Sequence, residues 1–492
     1  MPKLHPLLES YVPTSDDPFD ATKAAHLLNR AGFGGTPEEI AAVQQLGPQG
    51  AIDLLMDFPD ARAEEVSQTD LPDLSSIEGY PKSFQDLRKL AAGKTQEERK
   101  ALQQMLQQAN REAIAATIYW WMNRFAYGPY PMHEKLCLFW HGHFTTSAKD
   151  ERAASLMWNQ NETIRSYAAG NFREFVKAIS RDPAMLDYLN NTQNRKQKPN
   201  ENYARELMEL FTLGIGNYTE NDIKEAARAF TGWTHEDGEY KFRKYDHDEG
   251  AKVFFGRRGN FNGDDIIDNI LSSPACAPYI AGKLFKHFAY EEVDNALAES
   301  LGNLLKEANF DLRPLIRTIF TSKAFYSYRT IGSQIKSPVQ LVVGTIKMLN
   351  IDTPPPMRLY GPLEQMGQVP LMPPNVKGWP GGRMWINTST LFVRYNTCVF
   401  LAGGSAPMQQ LRGIPKGNRI NGRSVEVSGN FVPTVDAPPK ALVDYWVKRL
   451  IQRPIPDKKK AVLLDAIGSS PSENSLRQMI QLIVSMPEYQ LC

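Results

Sequence analysis

Three histidines and a carboxylate lie close together in one short stretch of this chain. Residues 132–147 hold His133, His141 and His143, three of the eight histidines, together with Glu134. Histidine is the commonest metal ligand and the side chain best suited to carry protons near neutral pH. Aromatic residues surround these histidines, so an ordinary solvated surface is not expected. This segment is therefore the strongest candidate for chemistry.

The geometry of the segment depends on where its helix ends. On a continuous helix Glu134 and His141, seven residues apart, point within about 20° of each other, and His133 flanks the same stripe. His143 follows His141 by two residues and cannot share that face unless the helix breaks. Gly142 lies between the two histidines, and we expect the break there.

Three interpretations of the histidines stay open. His141 and His143 could bind a divalent transition metal together with Glu134 or Glu206, in the manner of a two-histidine, one-carboxylate site. His133 could act as an acid or base with or without the metal. The segment lacks the HExxH pattern, however, and buried histidines often only donate hydrogen bonds to backbone carbonyls.

A second candidate cluster lies in residues 199–214. Glu206 falls at the edge of an apolar helical face, whereas Arg205 and Glu209 are spaced as i, i+4 partners on the far side. A buried Glu206 needs a cation or a hydrogen-bond donor. It either forms an ordinary ion pair or completes a catalytic site with the histidines, and Arg205 could then contact substrate.

Acidic residues flank His247 on both sides. Such neighbours favour the imidazolium form, so His247 is a candidate proton donor. The alternative interpretation is that His247 lies in a surface loop and has no catalytic role.

Tryptophan, glycine and asparagine are concentrated in residues 375–387. Exposed tryptophans beside glycines and amides suit stacking on sugar rings, so Trp379, Trp385 and Asn387 are candidate substrate-binding residues. The alternative is a rigid turn whose tryptophans belong to the core.

The composition excludes several classes of protein. Fifty-six Lys and Arg residues balance 55 Asp and Glu residues, which gives no electrostatic case for nucleic acid. Four widely spaced cysteines argue against a zinc ribbon, a c-type haem or a disulfide scaffold. We expect no membrane span, because no apolar run approaches about 18 residues. The first residues resemble no export signal, so we expect a cytoplasmic protein, or one exported with a partner that carries the signal.

Periodicity and capping signals predict a mainly α-helical, two-lobed protein with a few short strands and long irregular loops. Thr36 and Thr219 are the clearest predicted helix caps, Thr219 with Asp222, and Asn262 or Asp264 is expected to cap a later helix. The predicted organisation is an N-terminal extension (1–19), a helical core (20–402) with an exposed excursion (57–95), an irregular flap (403–440), and C-terminal helices that pack on the core (441–492).

Several motifs together resemble the bacterial domain-of-unknown-function 1800 (DUF1800) family. They are His26-Leu-Leu-Asn-Arg30-Ala-Gly-Phe-Gly, the histidine segment, residues 200–214 and 227–233, His247-Asp-Glu-Gly, and residues 374–388 with both tryptophans. The resemblance implies no settled activity. It does imply a possible partner, a sulfatase-like protein of the DUF1501 family.

Two functions follow as expectations. The first is metal-assisted hydrolysis or oxidation of an envelope or extracellular polymer. The second is a non-catalytic role as companion or escort of the sulfatase-like partner, in which the same motifs build a rigid core.

Overall fold

Capping side chains fix where many of the helices begin. Thr36 accepts a hydrogen bond from the backbone N–H of Glu39, whose carboxylate accepts one from the N–H of Thr36. Thr219 and Asp222 form the same reciprocal pair. Asn262 caps its helix, as predicted. Each cap satisfies N–H groups that the helix itself leaves unpaired.

The computed structural model describes residues 4–59, 90, 92–149, 153–351, 356–403 and 437–492. The α-helices in these ranges are α1 (Ala21–Ala31), α2 (Pro37–Met56), α3 (Gln96–Tyr127), α4 (Pro131–His143), α5 (Ala154–Tyr167), α6 (Phe172–Ser180), α7 (Pro183–Tyr188), α8 (Asn202–Glu206), α9 (Glu220–Ala229), α10 (Gly263–Leu271), α11 (Cys276–Phe288), α12 (Asn295–Glu307), α13 (Leu312–Thr321), α14 (Pro338–Leu349), α15 (Pro356–Met366), α16 (Thr388–Leu401), α17 (Pro439–Leu450), α18 (Asp457–Ile467) and α19 (Glu473–Val484).

Two small antiparallel hairpins interrupt the helices in the described ranges. Strands β1 (Trp233–Glu236) and β2 (Glu239–Phe242) pair with Trp233 opposite Phe242. Strands β3 (Lys252–Phe254) and β4 (Arg257–Gly259) form the second hairpin. The predicted mainly α-helical fold class is confirmed.

The expected break at Gly142 is wrong. Helix α4 continues through Gly142 and ends at His143, with Phe144 as its C-cap. The indole of Trp379 packs where a side chain at Gly142 would project, so packing stabilises a glycine that would otherwise weaken the helix. His141 and His143 therefore lie about 200° apart around one helix.

A second departure lies beyond α8. The helix predicted over residues 202–213 changes at Leu207 into a π-helix that runs to Thr212. A π-helical turn inserts one residue into the repeat. It rotates Glu209 away from the i, i+4 relation to Arg205 that a regular helix would give.

Buried apolar side chains from Leu8 to Tyr489 form one contiguous core. Within the described ranges, no helix combines the length and the apolar character that a bilayer span requires. Most of the predicted excursion (57–95) and flap (403–440) lies outside the described residues. The predicted domain boundaries stay predictions.

Candidate functional site

Glu134 lies in a closed ion cluster in the core. Its carboxylate accepts hydrogen bonds from Trp121 Nε1 (2.8 Å), Arg124 Nε (2.7 Å) and Arg165 Nη2 (3.0 Å). Burial by itself would raise the pKa of Glu134, but Arg165 and Arg124 outweigh burial and lower this pKa to about 2. Arg165 Nε adds a fourth donor at 3.2 Å, so the carboxylate is ionised and fully occupied.

Two of the three histidines donate to backbone carbonyls. His133 Nε2 lies 2.8 Å from the carbonyl oxygen of Arg165, and its ring stacks on Phe58. His143 Nε2 lies 3.0 Å from the carbonyl oxygen of Phe211 in the π-helix. Burial lowers the pKa of His133 to about 4 and the pKa of His143 well below its usual value. Both rings are neutral.

His141 is different, because within the described ranges neither ring nitrogen has a hydrogen-bond partner. The side chain is fully buried, and burial lowers its pKa to about 3. Its ring contacts the edge of Trp121 and the indole of Trp379, with centroids 5.6 and 5.5 Å away. The indole N–H of Trp379 is likewise buried without a partner.

The described residues contain no group of three or more His, Cys, Asp or Glu side chains placed to hold a metal ion. His141 and His143 point to opposite sides of α4, and Arg124 and Arg165 occupy Glu134. The structure thus does not bring the predicted ligands His141, His143 and Glu134 to a common point. Glu206 does not complete such a group either.

Arg205 and Glu206 face different surroundings. Arg205 pairs with Glu201 (3.1 Å) and Glu220 (2.8 Å), not with Glu209 as predicted. Glu206 is partly exposed, and burial followed by the charge of Glu209 raises its pKa. Its catalytic role stays a prediction, as does substrate contact at Arg205.

His247, the candidate proton donor, is buried. Its Nδ1 lies 2.8 Å from the carbonyl oxygen of Thr231. The neighbouring Asp248 pairs with Arg228 (2.7 Å), so this carboxylate is directed toward a guanidinium. The role of His247 as a proton donor stays a prediction.

The loop of residues 375–387 reaches the histidines through one of its two tryptophans. Trp379 is partly exposed and contacts His141. Trp385 is 5% exposed and belongs to the interior. Asn387 is the N-cap of α16 and accepts the N–H of Thr390 (2.9 Å). Of these three predicted substrate-binding residues, Trp379 alone has an aromatic face within reach of solvent.

The most unusual feature of the interior is a set of buried cations that sequence reasoning did not single out. We call it the cationic centre, and it comprises Arg30, Lys135, Lys336 and Arg394. Each of the four is no more than 5% exposed. None pairs with an Asp or Glu side chain among the described residues. Cys492 is a neighbour that raises the pKa of all four, and Cys398 does so for Lys336 and Arg394.

Several donors of the cationic centre have no acceptor among the described residues. Arg30 Nη2 donates to the carbonyl of Thr330 (2.8 Å), but its Nε and Nη1 are buried without partners. Arg394 Nη2 donates to the carbonyl of Lys336 (2.7 Å), and its Nη1 is also unpartnered. Lys135 lies 4.8 Å over the ring of Phe33. Buried donors without acceptors are rare in folded proteins.

Burial lowers the pKa of both lysines of the cationic centre. It lowers the pKa of Lys135 to about 8, with a further decrease from Arg30, and the pKa of Lys336 also to about 8. Both amines are still mostly protonated at pH 7. The pKa of Arg30 falls to about 10, so this guanidinium stays charged.

Solvent reaches α4 along one stripe that leads toward Lys135. Between Met132 and His143 only Phe139 and Gly142 are partly accessible, and helical spacing places both on the face of Lys135. The ring of His287 lies 4.8 Å from that of Phe139, and the indole of Trp379 lies on Gly142. We call Phe139 and Gly142, with His287 and Trp379 packed beside them, the α4 surface.

His287 lies between this surface and the cationic centre. The surrounding protein, followed by the charges of Lys135 and Arg30, lowers the pKa of His287. Gln334 donates to the carbonyl of His287 (3.0 Å) and pairs through its backbone with Cys492, a neighbour that the four cations share.

The fold and the site define a mainly α-helical protein whose interior holds four buried cations without an Asp or Glu partner among the described residues. The chain matches the family described as Protein of unknown function (DUF1800) over residues 26–491, and it belongs to that family. No curated protein and no solved structure matches the chain.

Proposed function

We propose that this protein binds an anionic ligand at the cationic centre. The observation that carries the proposal is the set of buried guanidinium nitrogens without acceptors on Arg30 and Arg394, next to two lysines that lack carboxylate partners. Charges buried without counter-charges are destabilising by several kcal/mol. An anion that accepts hydrogen bonds from them would remove that cost.

The groups at the centre suit an oxyanion. Guanidinium groups present planar pairs of donors to carboxylate, sulfate or phosphate oxygens, and ammonium groups add point charge. Polar residues that destabilise the free protein are commonly retained for ligand binding. The predicted hydrolase or oxidoreductase activity and the partnership with a DUF1501 protein stay predictions, because no described site favours either one.

Calorimetric titration of the intact protein with sodium sulfate and sodium phosphate tests the proposal. Chloride maintains constant ionic strength, which separates specific binding from screening. We expect saturable binding at one site per chain. Lys135→Met should weaken binding at least about tenfold, since it removes a charge next to the anion. Lys198→Met, at an exposed lysine, should leave binding unchanged.

Two results would overturn the proposal. One is the absence of saturable binding of either anion above the chloride control. The other is equal weakening by Lys135→Met and Lys198→Met, which would show that only the general charge of the surface matters.

A further inference from the structure

A cleft of about 350 Å³ lies between α1, α2 and the second half of α17. Small side chains leave this space open: Ala21 and Ala25 line it from α1 at i, i+4 spacing, and Ala41 lines it from α2. Val447 and Lys448 line it from α17. None of the four members of the cationic centre belongs to this lining, so the cleft is a separate place in the fold. We call it the α2 cleft.

The floor of the α2 cleft is apolar and its rim is polar. Among the lining residues, Ala25, Ile40 and Val447 are buried, and each is no more than 6% exposed. Gln44 and Lys448 are exposed at the edge. A ligand with a hydrocarbon chain on this floor would remove apolar surface from water, which is the main driving force for such binding.

Gln452 makes the floor rigid. Its Oε1 accepts a hydrogen bond from Asn29 Nδ2 (2.6 Å), and its Nε2 donates to the carbonyl of Gly35 (2.9 Å). These bonds join α1, the loop before α2 and the segment that leaves α17. Gln452 thus keeps neither amide atom for a ligand, and the cleft is already formed before a ligand binds. A preformed site loses little conformational entropy on binding.

The rim of the α2 cleft has a net positive charge. Its lining holds three cations, Lys448, Arg453 and Lys460, and one carboxylate, Asp444. Asp444 pairs with Lys460 (2.9 Å). Among the described residues, neither Lys448 nor Arg453 forms an ion pair with a carboxylate. The rim is therefore complementary to one anionic group.

The backbone holds Arg453 in place. Its Nη1 donates to the carbonyl of Gly332 (3.2 Å), and its Nη2 donates to the carbonyl of Glu488 (3.1 Å). Its Nε has no acceptor among the described residues, and the side chain is only partly exposed. A guanidinium that is fixed and keeps a donor is preorganised to bind a carboxylate.

We propose that the α2 cleft binds a medium-chain fatty acid, with its alkyl chain on the apolar floor and its carboxylate at Lys448 and Arg453. The volume of the cleft lies at the lower end of the range of about 300–1,000 Å³ that is usual for small ligands. A helix or strand of a partner protein would need a longer groove. A single negative charge suits this rim, because Asp444 would repel a doubly charged phosphate more strongly.

Calorimetric titration of the intact protein at constant ionic strength tests the inference. The probes are octanoate, acetate as the head group without the chain, 1-octanol as the chain without the charge, and octyl phosphate. We expect octanoate to bind at one site per chain and acetate not to saturate. Each methylene group added between butanoate and octanoate should tighten binding about two- to fourfold. Octanol should bind at least about tenfold more weakly than octanoate.

Two neighbouring alanines of α2 provide matched variants. Ala41→Phe places a ring in the cleft and should weaken octanoate binding at least about tenfold. Ala42→Phe alters the next position of the same helix, which is also exposed but is not part of the lining, and should leave binding unchanged. Neither variant replaces a buried side chain, so both should fold.

Two lysine variants separate this site from the cationic centre. Lys448→Met should weaken octanoate about threefold or more and leave octanol unchanged, since it removes a charge at the rim. Lys135→Met, which should weaken sulfate binding, should leave octanoate binding unchanged. Lys448→Met in turn should leave sulfate binding unchanged.

The outcomes distinguish this inference from the proposed anion binding. Octanoate that binds no more tightly than acetate, or equal effects of Ala41→Phe and Ala42→Phe, would overturn the fatty-acid site and leave sulfate binding standing. Octanol or octyl phosphate that binds as tightly as octanoate would overturn the choice of a fatty acid. Loss of octanoate binding in Lys135→Met but not in Ala41→Phe would place the acid at the cationic centre and overturn the inference as well.

Discussion

Lys135 and Phe139 lie one helical turn apart on the same face of α4 and join two different environments. Lys135 is 5% exposed and belongs to the cationic centre. Phe139 is partly exposed and contacts His287. A buried charge thus lies next to a surface that solvent reaches, which is the arrangement that a binding site for an anionic ligand requires.

Anion binding should be accompanied by proton uptake in mildly alkaline solution. Burial lowers the pKa of Lys135 and Lys336 to about 8, so part of each amine is neutral above that pH. A bound anion favours the ammonium form and raises both pKa values. Affinity for sulfate should therefore decrease as the pH rises from about 8 toward 10.

Calorimetry at pH 8.5 in two buffers with different ionisation enthalpies measures this uptake. We expect a net uptake of protons per sulfate bound. Binding without any proton uptake would show that neither lysine lies next to the anion.

Substitution of Glu134 should destabilise the fold strongly. Glu134→Gln leaves Arg124 and Arg165 buried without their counter-charge, and breaking such a cluster typically costs about 3–5 kcal/mol. Urea unfolding at pH 7 measures the loss. Glu473→Gln, which breaks the more exposed pair with Arg477, is the matched control and should lose much less. Similar losses in the two variants would contradict the structural role of Glu134.

Histidine burial should make the protein sensitive to mild acid. His133 and His141 have pKa values lowered to about 4 and about 3, whereas the unfolded chain binds these protons near pH 6.5. Stability is thus fully present above about pH 6.5 and is lost as the pH falls toward 4.

The urea midpoint measured from pH 7.5 to 4.5 tests this dependence. His141→Phe should flatten the curve without loss at pH 7.5, because neither nitrogen of His141 makes a hydrogen bond that the variant would lose. A midpoint that is constant over this range would contradict neutral, buried histidines.

Two glycines of the loop of residues 375–387 should respond differently to alanine. Gly378→Ala combines a positive φ with an overlap at the carbonyl of Gly142, so it should displace Trp379 and lower the melting temperature. Gly381→Ala meets no atom within 4 Å and is the matched control. Tryptophan fluorescence should shift in the first variant only. Equal behaviour of the two variants would show that Trp379 is not fixed by Gly378.

Local signals in the sequence predicted the local structure. The caps Thr36, Thr219 and Asn262 were recognisable because capping depends on residues within three positions of one another. The continuation of α4 through Gly142 was not recognisable from the sequence, because Trp379, which is more than 200 positions away in the chain, stabilises it. Tertiary packing here outweighs the intrinsic preference of glycine.

The cationic centre could not be predicted from the sequence, for a related reason. Arg30, Lys135, Lys336 and Arg394 come from distant parts of the chain and meet only after folding. One signal was present: the positions one helical turn from Lys135, which are Pro131, Met132, Leu138 and Phe139, are all apolar or aromatic, and a charge on such a face is unexpected. The histidines drew attention because metal ligands are recognisable by type, although carbonyl acceptors and ring packing account for His133 and His143.

Thermal unfolding of Lys135→Met beside the unaltered protein, each with and without sulfate, tests the central claim most directly. Methionine keeps the apolar stem and removes the uncompensated charge. Without sulfate the variant should be more stable by about 3 kcal/mol, because burial lowers the pKa of Lys135 from 10.5 to about 8, and sulfate should stabilise it much less than it stabilises the unaltered protein. A variant that is less stable than the unaltered protein, and that sulfate stabilises to the same extent, would show that Lys135 carries no uncompensated charge next to an anion site.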